Sequence, residues 1–98
     1  MKAIEVNQMC SSRTGNPVAN QFKIYTKKGV YFQSYSTLIA FKPYDFKGKL
    51  KIDKNYWDYS RTTLKYLYDF IGVNFRHRSK KNILKLIQTK EIILTNLN

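Results

Sequence analysis

The sequence predicts a small α+β domain, an antiparallel sheet made of a hairpin plus N- and C-terminal strands and packed on two helices. Three observations carry this expectation. Residues 19–35 alternate in character on either side of a Lys27-Lys28-Gly29 turn, as a half-buried hairpin does. Residues 60–71 align Leu64, Leu67 and Ile71 on one side of a helical wheel and stop at Gly72, a residue suited to a left-handed helix terminus. The 98 residues, 43% hydrophobic and 15% aromatic, suffice for one modest core, so a single domain over 1–98 is expected.

The elements follow in order. Residues 2–9 alternate weakly around Ala3, Ile4 and Val6 and form a first strand. Ser11 to Pro17 is turn chemistry, with Gly15 able to take positive φ and Pro17 forcing Asn16 to be extended. In the hairpin, Phe22, Ile24 and Thr26 share one face and Lys23 and Tyr25 the other. Val30, Phe32 and Ser34 then oppose Tyr31, Gln33 and Tyr35. A three-residue turn with Gly29 in the left-handed region would set Tyr25, Tyr31 and Tyr35 on a common face with Lys23 and Gln33. Thr37 to Phe41 extends this strand or starts another, and Pro43 ends it. Leu50-Lys51-Ile52 is a short strand in a segment carrying Lys42, Lys47, Lys49, Lys51 and Lys54. Those lysines suit either a protected sheet edge or phosphate contact.

The helix after Trp57 can be capped by Asp58 or Ser60. Its apolar side is Leu64, Leu67, Ile71 and the adjacent Tyr68, with Arg61, Thr62, Lys65 and Asp69 opposite. Lys65 and Asp69 have the spacing of a helical ion pair. Trp57 reads as a core plug just before the cap. Ser79 is the N-cap of a second helix that buries Ile83, Leu84, Leu86 and Ile87. Glu91 to Thr95 returns to the sheet as the last strand.

Charge is the most informative functional observation. Eighteen Lys and Arg against six Asp and Glu give +12, with an isoelectric point near 9.9. A chain this basic attracts an anionic partner, and nucleic acid, an acidic protein surface and an anionic membrane are the candidates; the expected partner is RNA or DNA, or a host nucleic-acid-handling complex. Codon bias in an AT-rich genome is the competing account of the excess. The candidate binding residues are Arg76, His77, Arg78, Lys80, Lys81 and Lys85 in the densest basic segment, with Lys27 and Lys28 at the hairpin turn. Arg61 and Lys65 on the helix, Arg13 in the first loop, and Tyr25, Tyr31 and Tyr35 as stacking surfaces complete the set.

Catalysis is not expected. His77 and Cys10 are the only residues of their kinds, so neither a thiolate metal cage nor an internal disulfide can form, and no metal site or cofactor is predicted. The glycines are isolated and build no phosphate loop. The longest apolar run, Leu38 to Phe41, is far too short to span a bilayer. A membrane partner is not expected, and a cytoplasmic location in a bacterial host is.

The blocks Ser12 to Phe22, Tyr31 to Ala40 and Tyr56 to Tyr66, together with Leu94 to Asn98, make the chain resemble a family of small uncharacterised phage and mobile-element proteins. The resemblance implies a phage or mobile-element origin and transfers no activity. Short proteins of this class often act against host machinery, CRISPR systems included, so a non-catalytic anti-defence inhibitor is expected from the class; the basic and aromatic residues leave as alternatives a single-stranded nucleic-acid-binding accessory protein or a small metal-independent nuclease. This chain departs from the family in two places: Lys90 stands where the family tends to have Gly, and Arg76 to Lys85 is unusually basic.

Overall fold

The computed structural model describes residues 2–11, 13–45 and 48–98, with the side chain of Phe75 outside that description. Lys47 also lies outside it. Six strands form one sheet in sequential order: β1 (Glu5–Cys10), β2 (Pro17–Tyr25), β3 (Gly29–Ser34), β4 (Thr37–Pro43), β5 (Leu50–Asp53) and β6 (Ile92–Thr95). Helices α1 (Arg61–Ile71) and α2 (Lys80–Gln88), with a single 3₁₀ turn at Phe75–His77 between them, connect β5 to β6. This is the expected α+β architecture. Neighbouring strands are antiparallel except β5 and β6, which are parallel. A parallel neighbour requires a long crossover, and the two helices provide it.

Both helices belong to one face of the sheet. Phe32 of β3 lies 5.7 Å from Phe70 of α1, ring to ring, and Ser34 shares a 3.0 Å hydroxyl hydrogen bond with Thr63. The core beneath the helices combines Phe32, Ile39, Ala40 and Ile52 with Trp57, Leu67, Phe70, Ile83 and Ile92. Trp57 is buried, as expected of a core plug. The β3–β4 register shifts between Phe32 and Gln33, which sets Ile39 beside Ala40 in this core.

Local chemistry explains the helix ends. The Ser60 hydroxyl accepts from the Thr63 N–H at 3.1 Å and donates to the Thr63 hydroxyl, so Ser60 is the cap and Asp58 is not. Gly72 has φ +83, and its N–H donates to the Tyr68 carbonyl. Ser79 caps α2 by accepting from Asn82.

The buried side of α1 is rotated from the expected stripe: Thr63, Tyr66, Leu67 and Phe70 are buried, while Leu64, Tyr68 and Ile71 are half-buried. Thr63 explains the shift. Its hydroxyl belongs to the buried Ser34–Thr63–Ser60 chain, so a polar side chain occupies a core position that hydrophobicity alone assigns elsewhere. Leu84 of α2, expected inside, is 50% exposed.

The turn between β2 and β3 corrects the face assignment of the tyrosines. The chain reverses over Lys27 and Lys28 alone, and Thr26 faces Gly29, donating its N–H to the Gly29 carbonyl. Gly29 does not adopt positive φ; it is needed because a Cβ there would collide with the Lys42 carbonyl of β4. A two-residue reversal pairs Tyr25 with Val30 and Ile24 with Tyr31, whereas three residues would have paired Tyr25 with Tyr31. One residue of register flips a side chain to the other face. Tyr25 and Lys23 therefore lie on the helix face, and Tyr31 and Gln33 on the opposite one.

Lys90 precedes β6 at φ +64, the conformation that favours glycine. The Lys90→Gly variant is expected to be more stable by about 0.5–1 kcal/mol, measured by urea denaturation.

Candidate nucleic-acid interface

The face of the sheet turned away from the helices carries the groove of interest. One row of directly paired residues crosses all six strands on this face: Val6, Ile24, Tyr31, Phe41, Lys51 and Ile93. Tyr31 and Phe41 form its centre, with ring centroids 4.5 Å apart and planes inclined at 45°. Around them lies a groove of about 560 Å³. Ala3 and Ile4 border it from the arm before β1, Leu97 borders it from the tail after β6, and Lys2, Lys27, Lys28 and Lys51 surround it. All four lysines are exposed. An apolar, aromatic bed between ammonium groups is matched to a ligand that is flat and apolar at one end and anionic at the other.

The groove owes its Leu97 side to a buried carboxylate. Asp53, at the end of β5, is fully buried. Its Oδ2 accepts from the N–H groups of Asn55 and Tyr56, each at 3.1 Å. Its Oδ1 accepts from the Leu97 N–H at 2.8 Å and the Asn98 side-chain amide at 3.0 Å. Asn98 then reaches β4, where its side chain accepts from the Leu38 N–H and donates to the Leu38 carbonyl, both at 2.9 Å. Residues 96–98 thus cross the sheet as a strap fixed at Asp53 and Leu38. The four N–H donors take the place of water around this buried side chain.

The sequence-derived candidates divide among three places. Lys27, Lys28 and Tyr31 meet at the groove. Tyr25 lies on the helix face, in a smaller cleft with Asn7, Lys23 and Asp69. Tyr35 is exposed in the β3–β4 turn at φ +56 and receives no share of the groove. Its N–H donates to the Asn20 carbonyl, near the far end of β2 from Lys27. Arg13 is exposed in the loop before β2, also toward that end.

The remaining candidates belong to the helical layer. Arg78 is 2.6 Å from Asp69 and only 17% exposed, and its Nε donates to the Val73 carbonyl. Asp69 therefore pairs with Arg78 across the helix connection, where the sequence suggested Lys65. Lys80 is 2.6 Å from Asp58 and sits over the Trp57 ring. These two cations clamp the start of α2 to α1 and the core. Arg61, Lys65, Arg76, His77, Lys81 and Lys85 are exposed.

Lys42 marks the boundary between the layers, donating to the Phe70 carbonyl at 2.7 Å. Burial, and then the nearby Lys23 charge, hold its pKa below the ordinary lysine range. Phe41, Lys2, Ile4 and Leu97 belong to the groove and were not among the sequence candidates, and Lys51, which the sequence left between a protected edge and phosphate contact, lines it too. Period-2 alternation places Phe41 and Lys51 on the faces of their strands, but only the pairing of β3, β4 and β5 brings them beside Tyr31. Among the described residues, no three His, Cys, Asp or Glu side chains converge as metal ligands would, and no helix is long and apolar enough to cross a membrane.

Fold and site together define a small, strongly basic α+β domain with one sheet face covered by helices and the other open around a lysine-edged aromatic groove. The chain belongs to the family of unknown function DUF8033, whose model matches residues 4–85. No curated protein and no solved structure matches it.

Proposed function

We propose that this is a non-catalytic binding protein that takes single-stranded nucleic acid into the open-face groove. The observation that carries the reading is the placement of Tyr31 and Phe41 between Lys2, Lys27, Lys28 and Lys51. Bases stack on aromatic rings with little regard for sequence, while phosphates are held by the surrounding ammonium groups. A duplex hides its base faces, so the groove favours unpaired strands. The resemblance to phage and mobile-element proteins supplies the setting: the target is a host or phage strand, alone or held in a host nucleoprotein effector such as a CRISPR complex.

Titration of a labelled RNA or DNA oligonucleotide between roughly 50 and 300 mM salt tests this. Four lysine–phosphate contacts predict a slope of about −3 in log K against log salt, at about −0.7 per single-strand phosphate. Absence of binding, or affinity unchanged across that range, overturns the reading. Capture from bacterial lysate distinguishes the nucleic acid from a protein target. Partners that persist after nuclease treatment identify a docking protein instead.

A further inference from the structure

The groove leaves unused the basic segment that dominates the second half of the sequence. Residues 54–90 contain nine Lys or Arg against two Asp. Each of those acids is taken by one cation, Asp58 by Lys80 and Asp69 by Arg78. The exposed charge left on this layer is therefore chiefly positive, at Arg61, Lys65, Arg76, Lys81 and Lys85, with His77 among them; the exposed Glu91, whose N–H donates to the Leu86 carbonyl, is the acid at the end of α2.

Its position matters as much as its sign. Helix α1 packs on the Phe32 side of the sheet, whereas Tyr31, one residue earlier, belongs to the opposite face, where the groove lies. The molecule extends at least 24 Å along each principal axis, about three Debye lengths at physiological ionic strength. A strand in the groove therefore leaves the helical layer uncovered for a second strand.

We propose that the outer surface of the helical layer is a second docking surface for a nucleic-acid backbone, so that one molecule holds two strands and speeds the annealing of complementary ones. This rests on the single-strand reading of the groove. The two surfaces differ in character. The groove offers rings to bases, whereas the side chains described as exposed around the 3₁₀ turn and along the solvent side of α2 are chiefly cations suited to phosphates. Holding two strands by opposite sides of one small domain raises their local concentration and screens their mutual repulsion.

The test follows annealing of two complementary oligonucleotides, each carrying one dye of an energy-transfer pair, with the full chain at 100 mM salt, a value within the roughly 50–200 mM range over which counterion release acts strongly. Wild-type protein is expected to accelerate annealing about tenfold or more. The double variant Arg76→Gln/Lys85→Gln loses most of that acceleration while still binding a single labelled strand. The control double Arg13→Gln/Lys49→Gln removes the same charge from exposed residues that neither line the groove nor belong to the helical layer, whatever their sequence suggested, and retains it. Thermal melts establish that both variants fold. Equal annealing by the two doubles, or refusal of a second strand once the first is saturated, overturns this proposal and leaves the groove reading standing. A wild-type protein that binds no strand overturns both.

Discussion

Asp53→Ala is expected to lower the stability of the fold by about 3–5 kcal/mol, because several N–H donors lose their acceptor at about 1–3 kcal/mol for each one left unsatisfied. The carboxylate is fully buried and accepts four hydrogen bonds. Removing it takes the acceptor away from the N–H groups of Asn55, Tyr56 and Leu97 and from the amide of Asn98. A domain of this size has a total stability of about 5–15 kcal/mol, so the loss is a large fraction of the whole. At about 4–8 °C per kcal/mol, the melting temperature falls by at least about 12 °C. Asp53→Asn keeps the shape and one acceptor but turns an amide toward two donors, and its cost is intermediate, about 2 kcal/mol. Calorimetry or urea denaturation of the two variants checks the order. If Asp53→Ala melts within a few degrees of wild type, the strap is not held as described. The same variant releases the Leu97 side of the groove, so it weakens ligand binding even at temperatures where it remains folded.

Tyr31→Ala is expected to weaken single-strand binding by about 5- to 150-fold, the equivalent of the 1–3 kcal/mol that one base stack contributes. Tyr31→Phe retains the ring and its neighbour Phe41 at 4.5 Å, and keeps most of the affinity. The pair separates stacking from folding, because loss through unfolding would appear in the thermal melt of the Ala variant. Lys27→Gln/Lys28→Gln acts differently: it lowers affinity for all sequences alike and reduces the salt slope by about 1.4, or 0.7 per lysine. Fluorescence anisotropy across a salt series reads both effects.

Much of the fold is legible in the sequence because short-range chemistry specifies it. Ser60 and Gly72 punctuate α1 within a single turn of the residues they cap, and Ser79 does the same for α2. Trp57 announces itself as core by its neighbours. Lys90 has a left-handed backbone, a conformation in which a side chain costs free energy.

What the sequence hides is parity and distance. Lys27-Lys28-Gly29 suits either a two- or a three-residue reversal. The deciding fact, the close approach of β4 to Gly29, comes from a strand that begins eight residues later. That single ambiguity moved Tyr25 to the wrong face. The rotation of α1 has the same origin, since Thr63 is drawn inward by Ser34, 29 residues away. Nothing local marks Asp53 as buried, because two of its donors come from residues 44 and 45 positions further along the chain. The groove draws on Lys2, Tyr31, Lys51 and Leu97, which no local pattern connects. The basic run at 76–85 was conspicuous, yet Arg78 and Lys80 within it are fastened to Asp69 and Asp58.

The central claim is that the open sheet face, and not the conspicuous basic segment, receives the bases of a single strand. Ultraviolet cross-linking of a bound oligonucleotide, followed by mass-spectrometric mapping of the modified peptides, tests it most directly. Base cross-links at Tyr31 or Phe41 are the predicted result. Cross-links confined to residues 76–85, with Tyr31 and Phe41 unmodified, would contradict it.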